Sequence, residues 1–413
     1  ETVCLSGDGG YDMFLQAAKA GAMISSNSYG IDAEPDPALD GYYFNDQQVD
    51  AASYDIEDIL IVFAAGNDGN DGIGHPGVAK NALTVGAYNH GQSTQVAAFS
   101  SRGPTYDGRQ KPDIMAPGVG IVSAAGDLNN DNPPAQVSSA VKPLSGTSMA
   151  TPTVSGGAAL MRQYFTEGFY PSGSKNATDV MTPSGALMKS VLLNGTTWGS
   201  RSPAIDQGWG RIHLDNNLYF AGDSRNLRVW DLPNANGLAT GEEMRFKVQV
   251  PAGEEFRATL TWFDPPAMLG SGHALVNNLD LEVNFNGQVY QGNNWDRGVS
   301  VTGGRADEID TVEQIRLTSP IAGEYEVVVK GTQVNGSSSA ATLKQGFSLV
   351  TSQGVCSSNP GNPPSIDVIL NELGEPVINL NGASNNGDYQ VYRKLGGCGI
   401  DNSGYRFIGQ LSG

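Results

Sequence analysis

Charge is scarce in this chain. Asp, Glu, Lys and Arg make up 16% of its 413 residues, and it holds only 4 histidines and 3 cysteines. No apolar run reaches the roughly eighteen residues of a membrane-spanning helix, so a helical span is not expected. No Lys/Arg stripe or cluster appears, which argues against a nucleic-acid partner. The N-terminus has neither a basic region nor an apolar h-region, so no signal peptide is expected in this numbering. Positive charge is short enough to leave a formal net charge of −19. That excess serves solubility first; a sharper reading is calcium binding or a preference for basic substrates. Cys356 and Cys398 share one C-terminal segment and can pair in an oxidising compartment. Cys4 is then either a free thiol or the partner of a cysteine upstream of Glu1.

What is abundant is glycine (54) and proline (22), which favours loop-rich, β-containing structure over helical bundles. The length suffices for two or three cores. Residues 12–94 alternate helical and strand patterns. Helices are expected over 12–20 and 47–58, and strands over 22–27, 59–65 and 82–87. The run Ile59-Leu60-Ile61-Val62-Phe63 is continuously apolar, as in a strand buried on both faces. Strand–helix–strand order implies a doubly wound α/β parallel sheet. One helix is expected over 148–165, thin with Gly156, Gly157, Ala158 and Ala159 and so buried against its neighbours; another is expected over 184–193. After about Ala221 the pattern becomes period-two alternation with Gly/Asn/Pro turns, from Arg228-Val229-Trp230 to Phe347-Ser348-Leu349-Val350. This predicts an antiparallel β-sandwich or jelly roll.

A serine hydroxyl is a poor nucleophile without a base to take its proton and donors to hold the oxyanion. In Leu144-Ser145-Gly146-Thr147-Ser148-Met149-Ala150-Thr151-Pro152, Ser148 opens a helix whose N-terminal dipole favours developing negative charge. Gly146 permits close backbone approach, and Pro152 is expected in the first helical turn, where a missing N–H is harmless. A plain helix cap would not call for this whole pattern.

This run resembles the nucleophile signature of the subtilisin-like serine proteases. Ala64-Ala65-Gly66-Asn67, Ser100-Ser101-Arg102-Gly103-Pro104, the stretch from Lys111 to Gly118 and Gly208-Trp209-Gly210 resemble further segments of that family in the expected order. The β-rich part with Asn277-Asn278-Leu279-Asp280-Leu281 is similar to subtilases carrying a C-terminal jelly roll. The resemblance implies Ser148 as nucleophile and Asn67 as oxyanion donor. It implies Ser28, Tyr29, Gly30, Ala64, Ala65 and Gly66 as the edges that pair with a protein or peptide substrate. Those residues are small enough to leave room for a sizeable P1 side chain, and no acidic residue is expected on the pocket floor. Catalysis then needs no cofactor. Calcium is expected as a structural ion, with Asn278, Asp280 and Asp296 as candidate ligands beside Asp264. The resemblance further implies a secreted or cell-surface protein. The expected organisation is 1–221 for the C-terminal part of the catalytic domain, 222–353 for the jelly roll, 354–364 for a linker, and 365–413 for a partial fibronectin-III-like module. Asn176, Asn194 and Asn335 head glycosylation sequons.

The triad also needs an imidazole and an orienting carboxylate, placed before the serine in this family's order. None of His75, His90, His213 and His273 lies in the family's histidine context, and Asp113 matches a structural position. The expectation is therefore that an N-terminal portion of the same precursor carries both, and that residues 1–413 alone do not cut. Two other readings stand beside an active endopeptidase. One is a catalytically inactive surface or scaffold protein of the same fold; the other is an adhesive protein whose β-domains are its purpose.

Overall fold

The computed structural model describes residues 10–33, 41–90, 95–124, 141–198, 204–223, 226–253, 255–337 and 343–352. It also gives the backbone of four later strands, Ser365–Leu370, Pro376–Asn381, Asp388–Lys394 and Tyr405–Ser412, which pair as two antiparallel hairpins. All three cysteines and the 354–364 linker lie outside the described residues.

Residues 10–124 fold as α1 (Gly10–Lys19), β1 (Ile24–Asn27), α2 (Phe44–Asp55), β2 (Leu60–Ala64), β3 (Leu83–Asn89), β4 (Ile114–Val119) and β5 (Ile121–Ala124). β1 to β4 form a parallel sheet in that order, with β1 at one edge. The apolar run around β2 explains the layers. Ile59, Ile61 and Phe63 pack with Phe14, Val49 and Ala52 of α1 and α2. Leu60 and Val62 face the other way, into a core shared with α3 (Thr147–Thr166) and α4 (Gly185–Asn194). Alternate residues of one strand thus feed two cores. α2 starts earlier than its periodicity predicts because the Asp46 carboxylate accepts the Tyr43 N–H at 2.8 Å, fixing the first turn. β6 (Val141–Leu144) pairs antiparallel with β5 and leads directly into α3.

α3 is less enclosed than its thin sequence predicts. Its inner face buries Ala150, Val154, Ala158 and Met161. Pro152, Gly156, Ala159 and Leu160 form an exposed stripe, with Leu160 57% exposed.

The β-rich part comprises β7 (Leu227–Leu232), β8 (Glu243–Val250), β9 (Phe256–Thr261), β10 (Asn277–Phe285), β11 (Gln288–Asp296), β12 (Val299–Thr302), β13 (Val312–Leu317), β14 (Gly323–Val334) and β15 (Phe347–Ser352). One antiparallel sheet has the order β12-β11-β10-β14-β8, the other β13-β9-β15-β7. Phe246, Leu281 and Val327 of the first share a core with Leu260, Ile315 and Leu349 of the second. The second sheet also packs on the α/β body, where Val229, Val312 and Val350 join the core of α3 and α4.

Polar ties reinforce that contact. Arg257 donates to the carbonyls of Asn194 (2.8 Å) and Thr196 (2.6 Å), and Ser190 to that of Thr259 (2.9 Å). Asp231 accepts from the N–H and hydroxyl of Ser184, the cap of α4. Asn194 is buried and its side chain accepts from Thr259, so this sequon is closed to a glycan; Asn176 and Asn335 are exposed.

Candidate active site

The carboxyl ends of β1 and β2 and the amino end of α3 meet at one place, where open α/β sheets hold their ligands. Ser28 directly follows β1, Asn67 lies just beyond β2, and Ser148 is the second residue of α3. The Asn67 Oδ1 accepts the Thr147 N–H at 2.9 Å and lies 3.1 Å from the Thr147 hydroxyl, which also reaches the Gly66 carbonyl. A backbone N–H requires an acceptor, so this bond fixes which side of the amide is oxygen. The Nδ2 hydrogens are left uncommitted among the described residues. Ser148 N–H is one of the amide donors that a helix start leaves without an intrahelical acceptor. Gly66 is needed here. Its φ is +106°, and a Cβ would sit 2.7 Å from the Ser101 hydroxyl.

Pro152 is the sixth residue of α3, not part of its first turn. Its missing N–H removes the normal partner of the Ser148 carbonyl. The Ser28 hydroxyl takes that place, donating to Ser148 O at 2.9 Å. In return the Ser148 hydroxyl reaches Ser28 O in a long 3.4 Å contact. The proline therefore ties the nucleophile's turn to the end of β1.

An open cleft of about 320 Å³ is lined by Ser148, Thr147, Asn67, Gly66 and Ala64 on one side and by Ser28, Tyr29, Gly30 and Ile31 on another. Five of the six expected substrate-edge residues line it. Ala65 does not: it is fully buried with Ile73 and Val78. Its N–H and carbonyl are used by Val85 and Gly74. Two acidic residues, Asp32 and Asp68, also line the cleft. They stand only two residues after Gly30 and one after Asn67, just outside the motifs that marked the edges. Burial, followed by the charge of Asp32, pushes the Asp68 carboxyl above its usual range.

No described imidazole hydrogen-bonds Ser148. His75 is buried, its Nδ1 2.8 Å from Asp46 and its ring tilted against Tyr43. His213 accepts the Asn216 N–H at a short helix start, and His90 and His273 are exposed. Asp113 is buried between Lys111 (2.5 Å) and Lys189 (3.1 Å) and accepts the Thr84 N–H. Burial alone would raise its carboxyl, but the two lysines hold it below the usual range.

The expected calcium ligands Asp280 and Asp264 each have partners within the protein. Asp280 is engaged by the Thr332 hydroxyl and the Asn278 amide. Asp264 is committed to Lys80 and to the N–H groups of Val276 and Asn277. Among the described residues no three His, Cys, Asp or Glu side chains gather to hold a metal. Nor is any described helix long and apolar enough to cross a membrane.

The parallel sheet, the glycine-led helix start and the cleft around Ser148 define a subtilase-type body. Residues 6–210 match the model of the Subtilase family, and this part of the chain belongs to that family. The Serine protease/ABC transporter B family protein tagD of Dictyostelium discoideum is 31% identical over 309 residues, covering 58% of this chain and 16% of its own length. The serine protease AprX of Bacillus subtilis (strain 168) is 37% identical over 171 residues, 39% of this chain and 35% of its own length. Among solved structures, the Prenylagaramide maturation protease PagA aligns with a TM-score of 0.38 and 26% identity, covering 52% of this chain and 68% of that one. The match thus spans well under two thirds of either curated relative.

Proposed function

We propose that this chain is the nucleophile-bearing part of a secreted serine endopeptidase. Ser148 attacks the scissile carbonyl, forming an acyl-enzyme as the amine leaves. The Asn67 Nδ2 and the Ser148 N–H donate to the oxyanion, at a helix N-terminus that favours negative charge. The observation that carries this reading is the commitment of Asn67 Oδ1 to Thr147, beside the nucleophile. That leaves the donor half of the amide for the reaction.

The base and its orienting carboxylate come from residues upstream of Glu1. Three observations support this. The Ser148 hydroxyl is partnered by a carbonyl and not by an imidazole. β1, which runs into the cleft, has one neighbouring strand among the described residues. The α3 stripe around Gly156 and Leu160 is uncovered. An added strand on the free edge of β1 would end beside Ser28 and Ser148. Extracellular action is part of the same proposal and fits the acidic surplus of −19.

A second reading, an inactive scaffold of the same fold, is favoured by that same carbonyl partner of Ser148. A fluorophosphonate probe decides between them. Protein that includes the upstream segment should label at Ser148 and lose labelling in Ser148→Ala; residues 1–413 alone should not label. A longer protein that stays unlabelled would establish the scaffold.

A further inference from the structure

His75 is buried beside the cleft, and nothing in the proposed chemistry uses its imidazole. Its backbone, however, braces the cleft wall. The Ile31 N–H donates to His75 O at 2.7 Å, and the His75 N–H donates to Ile31 O at 2.8 Å. This is an antiparallel bridge between the segment after β1 and the loop after β2. Ile31 and Gly74, the residue before His75, both line the cleft. The approach is close on both sides: a Cβ on Gly30 would sit 2.7 Å from His75 O, and one on Gly74 2.8 Å from Ile31 O. Side chains there would push the two segments apart. With the Ile31 N–H and carbonyl both taken, a peptide adding to this edge must pair with the residues before Ile31.

The His75 side chain anchors that loop from within. Its Nδ1 lies 2.8 Å from Asp46 Oδ2, an oxygen that also accepts the Tyr43 N–H at 2.8 Å. Both side chains are buried, and the imidazole packs on the Tyr43 ring with centroids 4.4 Å apart. One carboxyl oxygen thus joins the start of α2 to the imidazole, and the backbone of the same histidine joins the cleft wall. Burial pushes the Asp46 carboxyl up, and the contact with His75 works against that rise. A buried acid–imidazole pair is a poor source of stability compared with apolar packing, but it fixes one geometry.

We infer that His75 is a positioning residue for substrate: clamped by Asp46, it fixes through its backbone the Ser28–Ile31 edge along which the peptide lies. The catalytic consequence rests on the proposed peptidase reading. The imidazole touches no reacting atom, so it governs how tightly the peptide is held, while the rate of acyl transfer belongs to Ser148 and Asn67.

Two variants separate position from packing. His75→Leu keeps about the same bulk and removes the hydrogen bond, whereas His75→Asn keeps an amide near the place of Nδ1. In the 413-residue chain, native-state amide exchange is compared at Ile31 and at Ala65, whose N–H donates to Val85 O within the sheet. His75→Leu should speed exchange at Ile31 about tenfold relative to Ala65, the scale of one net hydrogen bond. His75→Asn should restore most of that protection. If His75→Leu does not fold, Asp46→Asn carries the same comparison. No change at Ile31, or a change shared equally with Ala65, would make His75 plain core packing and overturn the inference. In protein that includes the upstream segment, His75→Leu should raise KM for an extended peptide about tenfold and leave kcat within about twofold. A loss confined to kcat, or a native KM despite a loosened Ile31, overturns the inference as well. Native longer protein that cuts no peptide would instead sink the peptidase reading, and selective loosening of Ile31 would still establish the clamp.

Discussion

β2 and β9 are both buried almost throughout, yet β2 is Leu60-Ile61-Val62-Phe63-Ala64 and β9 alternates Phe256-Arg257-Ala258-Thr259-Leu260-Thr261. The parallel strand is apolar on both faces because helices cover both. The antiparallel strand is apolar toward its own sandwich, while Arg257 and Thr259 carry its polar side into hydrogen bonds with the end of α4. β8, in the outer sheet, alternates buried with exposed or half-buried residues from Met244 to Val250. Similar alternation thus marks a solvent face in one sheet and a polar interface in the other. The α/β body places the chemistry where its strands end. The sandwich is joined to that body by satisfied polar contacts as well as apolar ones.

The largest test breaks that joint. The Lys80 ammonium is buried against Asp264 at 2.5 Å and the carbonyls of Pro265 and Ala274, both at 2.6 Å. Asp264→Ala strands this cation and should cost about 3–5 kcal/mol. The control Lys247→Met removes an exposed pair with Glu324 and should change stability by less than about 1 kcal/mol. Denaturant unfolding should show the first variant losing both regions in one shifted transition. Separate melting of the sandwich, with the α/β body unaffected, would mean the interface does not couple them.

Asn67→Ala tests the other side of the comparison. Asn67 is exposed but accepts the N–H of buried Thr147, so the substitution should also lower stability, by about 1–3 kcal/mol. It should remove about 3 kcal/mol of transition-state stabilisation, the scale of such an asparagine in subtilisin itself. The effect should fall on kcat, measured in protein that includes the upstream segment. A loss confined to KM would place Asn67 in ground-state binding instead.

Continuous apolar runs and helix periodicity were legible in the sequence because each reports a burial that the segment alone determines. β2, α3 and α4 lie within a residue or two of expectation, and Ser148 and Asn67 come together at one cleft. Features that depend on what packs opposite were not legible. Pro152 is placed by the true start of α3, and Ala65 is turned into the core by the backbone pairing of Gly74. Asp32 and Asp68 carry no local pattern; only the approach of two strand ends brings them to one cleft. The polar residues of β9 look like a solvent face until α4 covers them.

Two buried carboxyls, one in each region, should also answer pH in opposite senses. Asp113, beside the parallel sheet, is held below the usual range by Lys111 and Lys189 despite its burial. Its contribution is present above the unfolded carboxylate value and is lost as pH falls through its depressed folded value. Glu313 in β13 is fully buried, with one oxygen accepting the Leu281 N–H at 2.8 Å and the other unpartnered. Burial, then the charges of Asp307 and Asp280, push its carboxyl well above the usual range. Its stabilising contribution is therefore full below about pH 4.3, the unfolded value, and is lost as pH rises through the folded one. The slope cannot exceed about 1.4 kcal/mol per pH unit for a single proton. Glu313→Gln keeps an acceptor for Leu281 and removes the titration. Stability curves from about pH 5 to 8 should therefore fall less steeply with pH in the variant than in the native chain. Parallel curves would mean that Glu313 titrates alike folded and unfolded, and that this buried acid in the sandwich is not kept neutral by its surroundings.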